Sequence, residues 1–440
     1  MKTIIHNATI INEGKEWLGS VVIEGEHIAE VTDGPATDLS GYDQVIDGTG
    51  LYLLPGIIDS HVHFREPGMT EKADIASESR TAAAGGVTSY IDMPNCIPPT
   101  TTLEALEEKH RIAAEKSRVN YSFFFGATNT NLETIKDLDP SVVPGVKVYM
   151  GSTTGGLLVD RERALYDIFG NSPLLLMTHC EDTNRINQRM AEFKAIYGED
   201  PDVIHHPQIR DTEACYQSTA LAVRLAKETG ARLHVAHLTT ARELELFAHN
   251  DKQITAEACV AHLLFTQEDY ATLGTRIKCN PAVKSKADRE ALRKALTDGR
   301  ITVIGTDHAP HLLSEKQGGC CKAMSGMPMV QFSLPAMLSL VDEGVLSITR
   351  MVELMCHNPA TLFGMRKRGF IRPGYHADLT LVRPNTPWQV SKDIIQSRCG
   401  WSPLEGRTFR WKVERTYVNG QLVWDGHQVN TQFKGQAVEF

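Results

Sequence analysis

No stretch of this sequence is long and apolar enough to cross a bilayer, so no membrane-spanning segment is expected. Residues 1–7 carry no long apolar run and are expected to form an edge of structure, not an export signal. Basic excess is also missing. With 45 Lys and Arg against 54 Asp and Glu, the formal net charge of −9 gives no support to a nucleic-acid or membrane-surface partner. An anionic small molecule stays open, because the local field of a site outweighs the total. No CxxC pair occurs among the nine cysteines, and an odd, irregular set points to reduced thiols in the cytoplasm instead of a disulfide framework. Cys320 and Cys321 are neighbours in a glycine-rich loop; a redox-active or metal-binding pair is one reading, and two plain loop thiols the favoured one, since adjacent cysteines bridge poorly. What is present is ordinary for a soluble globular chain: 440 residues, enough for one large core and a smaller second domain.

The two ends look alike. Short Val- and Ile-rich runs at 2–11, 20–32 and 44–54 match others at 377–383, 412–419 and 421–424, where Asn419-Gly420 is a hairpin signal. The ends are therefore expected to build one small β-sandwich together. The predicted organisation is 1–54 as its first part, 55–364 as the inserted domain, and 365–440 as its second part with a tail.

The middle alternates. Apolar strand-like runs at 56–63, 87–93, 120–127, 145–150, 173–179, 232–237, 253–259 and 301–307 are followed by segments rich in Ala, Leu, Glu and Lys. The clearest helices are expected at 74–84, 103–117, 211–230 and 287–298. This alternation predicts an α/β fold, a (β/α)8 barrel of the TIM type. A doubly wound sheet is the rival, but it more often has fewer strands and a glycine-rich first turn.

Most of these runs end in residues that can do chemistry, and in a barrel the C-terminal strand ends surround one mouth. His61 and His63 are two apart on a strand, so both imidazoles face one way and can reach one ion. An HxH pair alone can equally be two solvated or core histidines. His179 and His237 each close an apolar run, while His234 is expected to face away as a structural residue. Four imidazoles at matching strand ends, with Asp307 after the eighth run, form a nitrogen and carboxylate set that suits Zn²⁺, with Mn²⁺ or Co²⁺ as options. Asp307 can also move protons as a general base and acid. Lys147 lies among apolar neighbours. Spacing alone favours a strand-end lysine reaching solvent or an ion pair; a neutral amine there could instead add CO₂ to give a bridging carbamate.

The motifs His61-Val62-His63-Phe64-Arg65-Glu66-Pro67-Gly68, Ala83-Ala84-Gly85-Gly86-Val87-Thr88, Asp92-Met93-Pro94-Asn95 and Thr306-Asp307-His308-Ala309-Pro310-His311 resemble the dihydroorotase family. That family belongs to the amidohydrolase superfamily, with a barrel and a flanking β-sandwich. The resemblance implies that His61 and His63 hold a first metal and His179 and His237 a second, with a carboxylated Lys147 bridging two zinc ions. It makes Asp307 both ligand and acid/base. It assigns Arg65, Asn95 and His311 to a substrate carboxylate and Asn280 to the ring. A guanidinium suits the first task because it grips a carboxylate through two parallel bonds; the other use of Arg65 is a salt bridge to Glu66 or Glu71. Departures lie on the substrate rim: Asn280-Pro281-Ala282-Val283-Lys284, Val260-Ala261-His262 and Gly326-Met327-Pro328-Met329 replace commoner runs.

The implied activity is the reversible, zinc-dependent cyclisation of N-carbamoyl-L-aspartate to L-dihydroorotate in pyrimidine synthesis. An allantoinase or hydantoinase is the sibling reading, and a catalytically silent scaffold the third. The expected partner is a small molecule with a free carboxylate, with no nucleic acid or membrane; assembly as a homodimer is admitted.

Overall fold

The eight apolar runs become eight short parallel strands. In the computed structural model, which describes residues 1–151 and 157–440, these are β1 (Ile57–Val62), β2 (Val87–Asp92), β3 (Asn120–Phe123, resumed at Phe125–Gly126) and β4 (Val146–Tyr149). They continue as β5 (Leu176–His179), β6 (Leu233–Val235), β7 (Ile254–Cys259) and β8 (Val303–Gly305). Each pairs in parallel with the next. The ring closes just past β8, where Val62 bridges His308 and the His63 N–H donates to His308 O at 2.7 Å. Strand β3 breaks at Phe124, whose N–H turns back to Asp92 O on β2 (3.0 Å), while that of Phe125 turns to Gly145 O before β4 (3.3 Å). The architecture is the expected barrel with one strand kinked between its two neighbours.

Burial of the strands on both faces explains their continuous apolar character. The helices outside them start at side-chain caps. Asp74 accepts from the Ser77 N–H, Thr102 from that of Ala105, Asp211 from that of Ala214 and Ser285 from that of Asp288. The expected helices appear as Ile75–Ala84, Leu103–Lys116, Thr212–Thr229 and Lys286–Ala295. A cap is worth about 1 kcal/mol and a fully buried aliphatic side chain about 1.5–3 kcal/mol. Caps therefore set where each helix begins, and burial sets which face it turns to the strands.

Both chain ends enter one eight-stranded sheet. Gln421–Trp424, Lys412–Val418, Leu379–Arg383, Tyr52–Pro55, Lys2–Asn12, Lys15–Glu24 and His27–Asp33 lie side by side in that order. A bulge between Ile5 and Ala8 divides the first strand, so that Gln44–Asp47 pairs with its start and Tyr52–Pro55 with its end. Ile5, Val21, Ile23, Leu53, Leu379 and Tyr417 form a core private to this domain. Leu54, Val382, Val418 and Trp424 instead join the barrel core.

The chain after the barrel also returns to it. Trp401 donates from Nε1 to His311 O at 2.7 Å. The Tyr121 N–H on β3 donates to Gln436 O and the Val438 N–H to Tyr121 O. Among the described residues, no helix is long and apolar enough to cross a membrane.

Candidate active site

A cavity of about 370 Å³ opens at the C-terminal ends of the strands. Its wall includes His61, His63, Arg65, Asn95, Lys147, His179, His237, Asn280, Asp307 and His311. Every residue named from the sequence as a ligand, acid/base group or substrate contact thus reaches one place, from positions scattered over most of the chain.

His61 and His63 leave β1 toward Asp307, which follows β8. Asp307 Oδ1 lies 2.9 Å from His63 Nε2 and 3.4 Å from His61 Nε2. Donor atoms of these three residues all fall within 4.8 Å of one another, close enough to share an ion. The far side of each ring is fixed. His61 Nδ1 faces Glu257 Oε1 at 2.7 Å and His63 Nδ1 faces Asn95 Oδ1 at 2.7 Å. With a proton donated from each Nδ1, both Nε2 lone pairs are left for a cation.

His179 and His237 approach from β5 and β6, with His179 Nδ1 3.0 Å from His237 Nε2. His179 Nε2 lies 2.9 Å from Glu181 Oε2, and Arg210 grips the same carboxylate through Nε (2.9 Å) and Nη2 (2.6 Å). Glu257 ties the two halves together, because its Oε1 also accepts the His237 backbone N–H at 3.1 Å. Its position needs Gly305, where a Cβ would lie 2.6 Å from Glu257 Oε2.

Lys147 on β4 is buried in the floor, and its Nζ has no hydrogen-bond partner among the described residues; neither have His237 Nδ1 and Glu257 Oε2. An ammonium so placed is costly, and burial lowers the Lys147 pKa against the pull of Glu257 and Asp307. Burial likewise lowers His63, His179 and His237, favouring the neutral, ligating form of each ring. Burial alone would raise Asp307, but His61, His63 and His237 outweigh it and hold the carboxyl well below its usual range. Four imidazoles, a carboxylate and a buried amine without a partner among the described residues are a donor set that fits a two-ion centre.

Arg65 is 6% exposed and makes no salt bridge among the described residues. The sequence offered Glu66 or Glu71 as its partner; Glu66 instead pairs with Lys116 and accepts the Ile75 N–H. The guanidinium donates from Nε to Pro310 O (3.0 Å) and lies 3.0 Å from His311 Nε2 through Nη2. Burial, with Arg65, Lys72 and Lys316 beside it, pushes His311 down, so its ring is neutral. Arg210 and Lys278 line the same cavity, which is cationic in a chain of net charge −9.

Three residues here hold left-handed backbone without being glycine: Arg65 (φ 68°), His237 (φ 37°) and Asp307 (φ 50°). Such conformations cost energy and concentrate at functional sites. His234 stands outside the cavity, with Nδ1 2.8 Å from Thr255 Oγ1 and its ring edge-on to Phe363.

Sequence reasoning passed over Glu257, Glu181, Arg210, His206 and Lys278. Two of these had a signal. Glu257 is a lone charge in an apolar strand, and Glu181 sits two residues beyond His179. Asn95 also has a partner that spacing did not suggest, the His63 ring.

The sequence pattern described as the amidohydrolase family matches residues 52–423. The dihydroorotase of Halobacterium salinarum is 36% identical over 419 residues, covering 94% of this chain and 95% of that protein. An allantoinase of Bacillus velezensis is 32% identical over 431 residues, covering 96% and 93%. Among solved structures, an L-hydantoinase (dihydropyrimidinase) from Arthrobacter aurescens has a TM-score of 0.93 at 27% identity, covering 100% of this chain and 99% of that one.

Proposed function

The chain belongs to the amidohydrolase family, and from that premise we propose that it interconverts N-carbamoyl-L-aspartate and L-dihydroorotate, closing and opening a ring amide. The coarser activity, hydrolysis of cyclic amides, accords with relatives named dihydroorotase, allantoinase and hydantoinase. The observation that carries the finer reading is Arg65: a buried guanidinium with no carboxylate partner among the described residues, set beside His311 at the wall of the ligand cavity. A substrate carboxylate satisfies it through charge-assisted bonds.

His61, His63 and Asp307 would hold one ion and His179 and His237 a second, with Lys147, carboxylated at Nζ, between them. Zinc suits this donor set, and bound there it would polarise the scissile carbonyl and acidify the attacking water. Asp307 accepts the proton of that water as the C–O bond forms. It returns the proton to the ring nitrogen as the C–N bond breaks, and the reverse sequence closes the ring. Arg65 and His311 hold the carboxylate outside the reacting amide, and Asn95 steadies His63. Glu257 and Glu181 fix the tautomers of His61 and His179. Nine free cysteines suit a reducing compartment such as the cytoplasm.

The Bacillus velezensis relative and the hydantoinase fold favour a second reading, hydrolysis of allantoin or a hydantoin. Steady-state assays of the metal-loaded protein with L-dihydroorotate, allantoin and a 5-substituted hydantoin separate the two. Turnover of dihydroorotate is expected; strong turnover of allantoin with none of dihydroorotate overturns the proposal.

A further inference from the structure

We propose that His206 is a positioning residue that turns the Asn280 amide so that its NH₂ group serves the cavity as a donor. His206 opens the short turn His206–Ile209, which lies between the helices Thr183–Tyr197 and Thr212–Thr229. Nothing in its sequence neighbourhood marks it, yet its side chain is 2% exposed and lines the cavity wall beside Asn280.

The argument rests on which atom can donate. His206 Nε2 lies 2.9 Å from Cys279 O and 3.1 Å from Asn280 Oδ1. A backbone carbonyl only accepts, so Nε2 carries the ring proton. A protonated Nε2 needs an acceptor on the Asn280 side as well. Reversing the amide would set N–H against N–H. The two ends of an amide look alike in shape, and a hydrogen-bond network decides between them; here the Cys279 carbonyl decides. Burial, with Lys278 and Arg210 nearby, holds His206 well below the usual histidine range, so the ring has one proton to place. Its Nδ1 has no hydrogen-bond partner among the described residues, in keeping with a proton on Nε2.

With Oδ1 engaged, the group Asn280 offers to a ligand is its NH₂. The substrate atom opposite must then be an acceptor, a ring or ureido carbonyl oxygen, and a ligand presenting an N–H there is rejected. This consequence rests on the ring-amide reading of the cavity; the orientation of Asn280 does not.

Three variants at one position test the device. His206→Leu keeps the bulk and removes the donor. His206→Gln can place an amide N–H where Nε2 stands, and His206→Asn cannot reach. Loss of an orienting hydrogen bond should raise KM for L-dihydroorotate about tenfold in His206→Leu and His206→Asn, with kcat changed less. His206→Gln should stay within about threefold of wild type. In an Asn280→Ala background, His206→Leu should add nothing further. Additive losses in that double variant, or a His206→Gln as impaired as His206→Asn at unchanged melting temperature, overturn the proposal. If the wild-type enzyme turns over none of the three ring amides, the functional reading fails. The orientation is then judged by a crystal structure of His206→Asn: a displaced or rotated Asn280 side chain supports it, and an unmoved one overturns it.

Discussion

The two halves of the cavity floor are built on different terms. Around His61, His63 and Asp307, each ring faces the aspartate on one side and Glu257 or Asn95 on the other. Around Lys147, His179 and His237, only His179 is braced at both nitrogens, while Lys147 Nζ and His237 Nδ1 have no partner among the described residues. The first half holds its shape through the protein's own bonds. The second half leaves a buried amine and a ring nitrogen for a bound group to complete. Two parts of one cavity floor can thus differ in how far the fold alone prepares them.

The sharpest way to break this comparison is at the shared residue. Asp307→Ala should lower kcat by roughly 10⁴-fold while the melting curve and helix content stay close to wild type; near-wild-type turnover would refute its proton-carrying role. Lys147→Met comes next, with activity falling on the order of 10³-fold and one equivalent of metal lost per chain. Its melting temperature decides the chemistry at Nζ. An unmodified lysine is a buried amine with no partner among the described residues, whose replacement by an apolar side chain should raise the melting temperature, whereas loss of a bridging carbamate should lower it together with the metal content. Arg65→Met should raise KM for dihydroorotate roughly 10²- to 10³-fold and leave any turnover of an uncharged hydantoin unchanged; equal loss on both substrates would remove the carboxylate assignment. The smallest effect belongs to Glu257→Gln, which should weaken metal binding roughly 10- to 100-fold, read by titration against a chelator. Because Glu257 serves His61 and the His237 backbone alike, both sites should weaken; loss confined to one would show that the halves are independent.

Much of this was legible in the chain. Fully buried strands advertise themselves as continuous apolar runs, and all eight barrel strands fall within the runs read from the sequence. Candidate ligands at strand ends are legible for the same reason, since a histidine closing an apolar run has one mouth to face. The residues that orient those ligands were not. Glu257 meets His61, Arg210 meets Glu181 and His206 meets Asn280 across long gaps in sequence, and no local period encodes such a meeting. The kink of β3 at Phe124 was hidden too, because a residue that changes strand partners keeps the same apolar character.

The left-handed backbone at Arg65, His237 and Asp307 has a consequence for laboratory evolution. Each such non-glycine residue costs of order 1 kcal/mol or more. Glycine at any of them would relieve that strain and erase a guanidinium, an imidazole or a carboxylate the cavity uses. A library selected for heat resistance alone should therefore drift toward glycine at these three positions and end as a sturdier barrel that no longer turns over its ring. Screening for turnover in every round should hold them in place, and the ceiling on heat resistance that remains measures what the chain spends on its own chemistry.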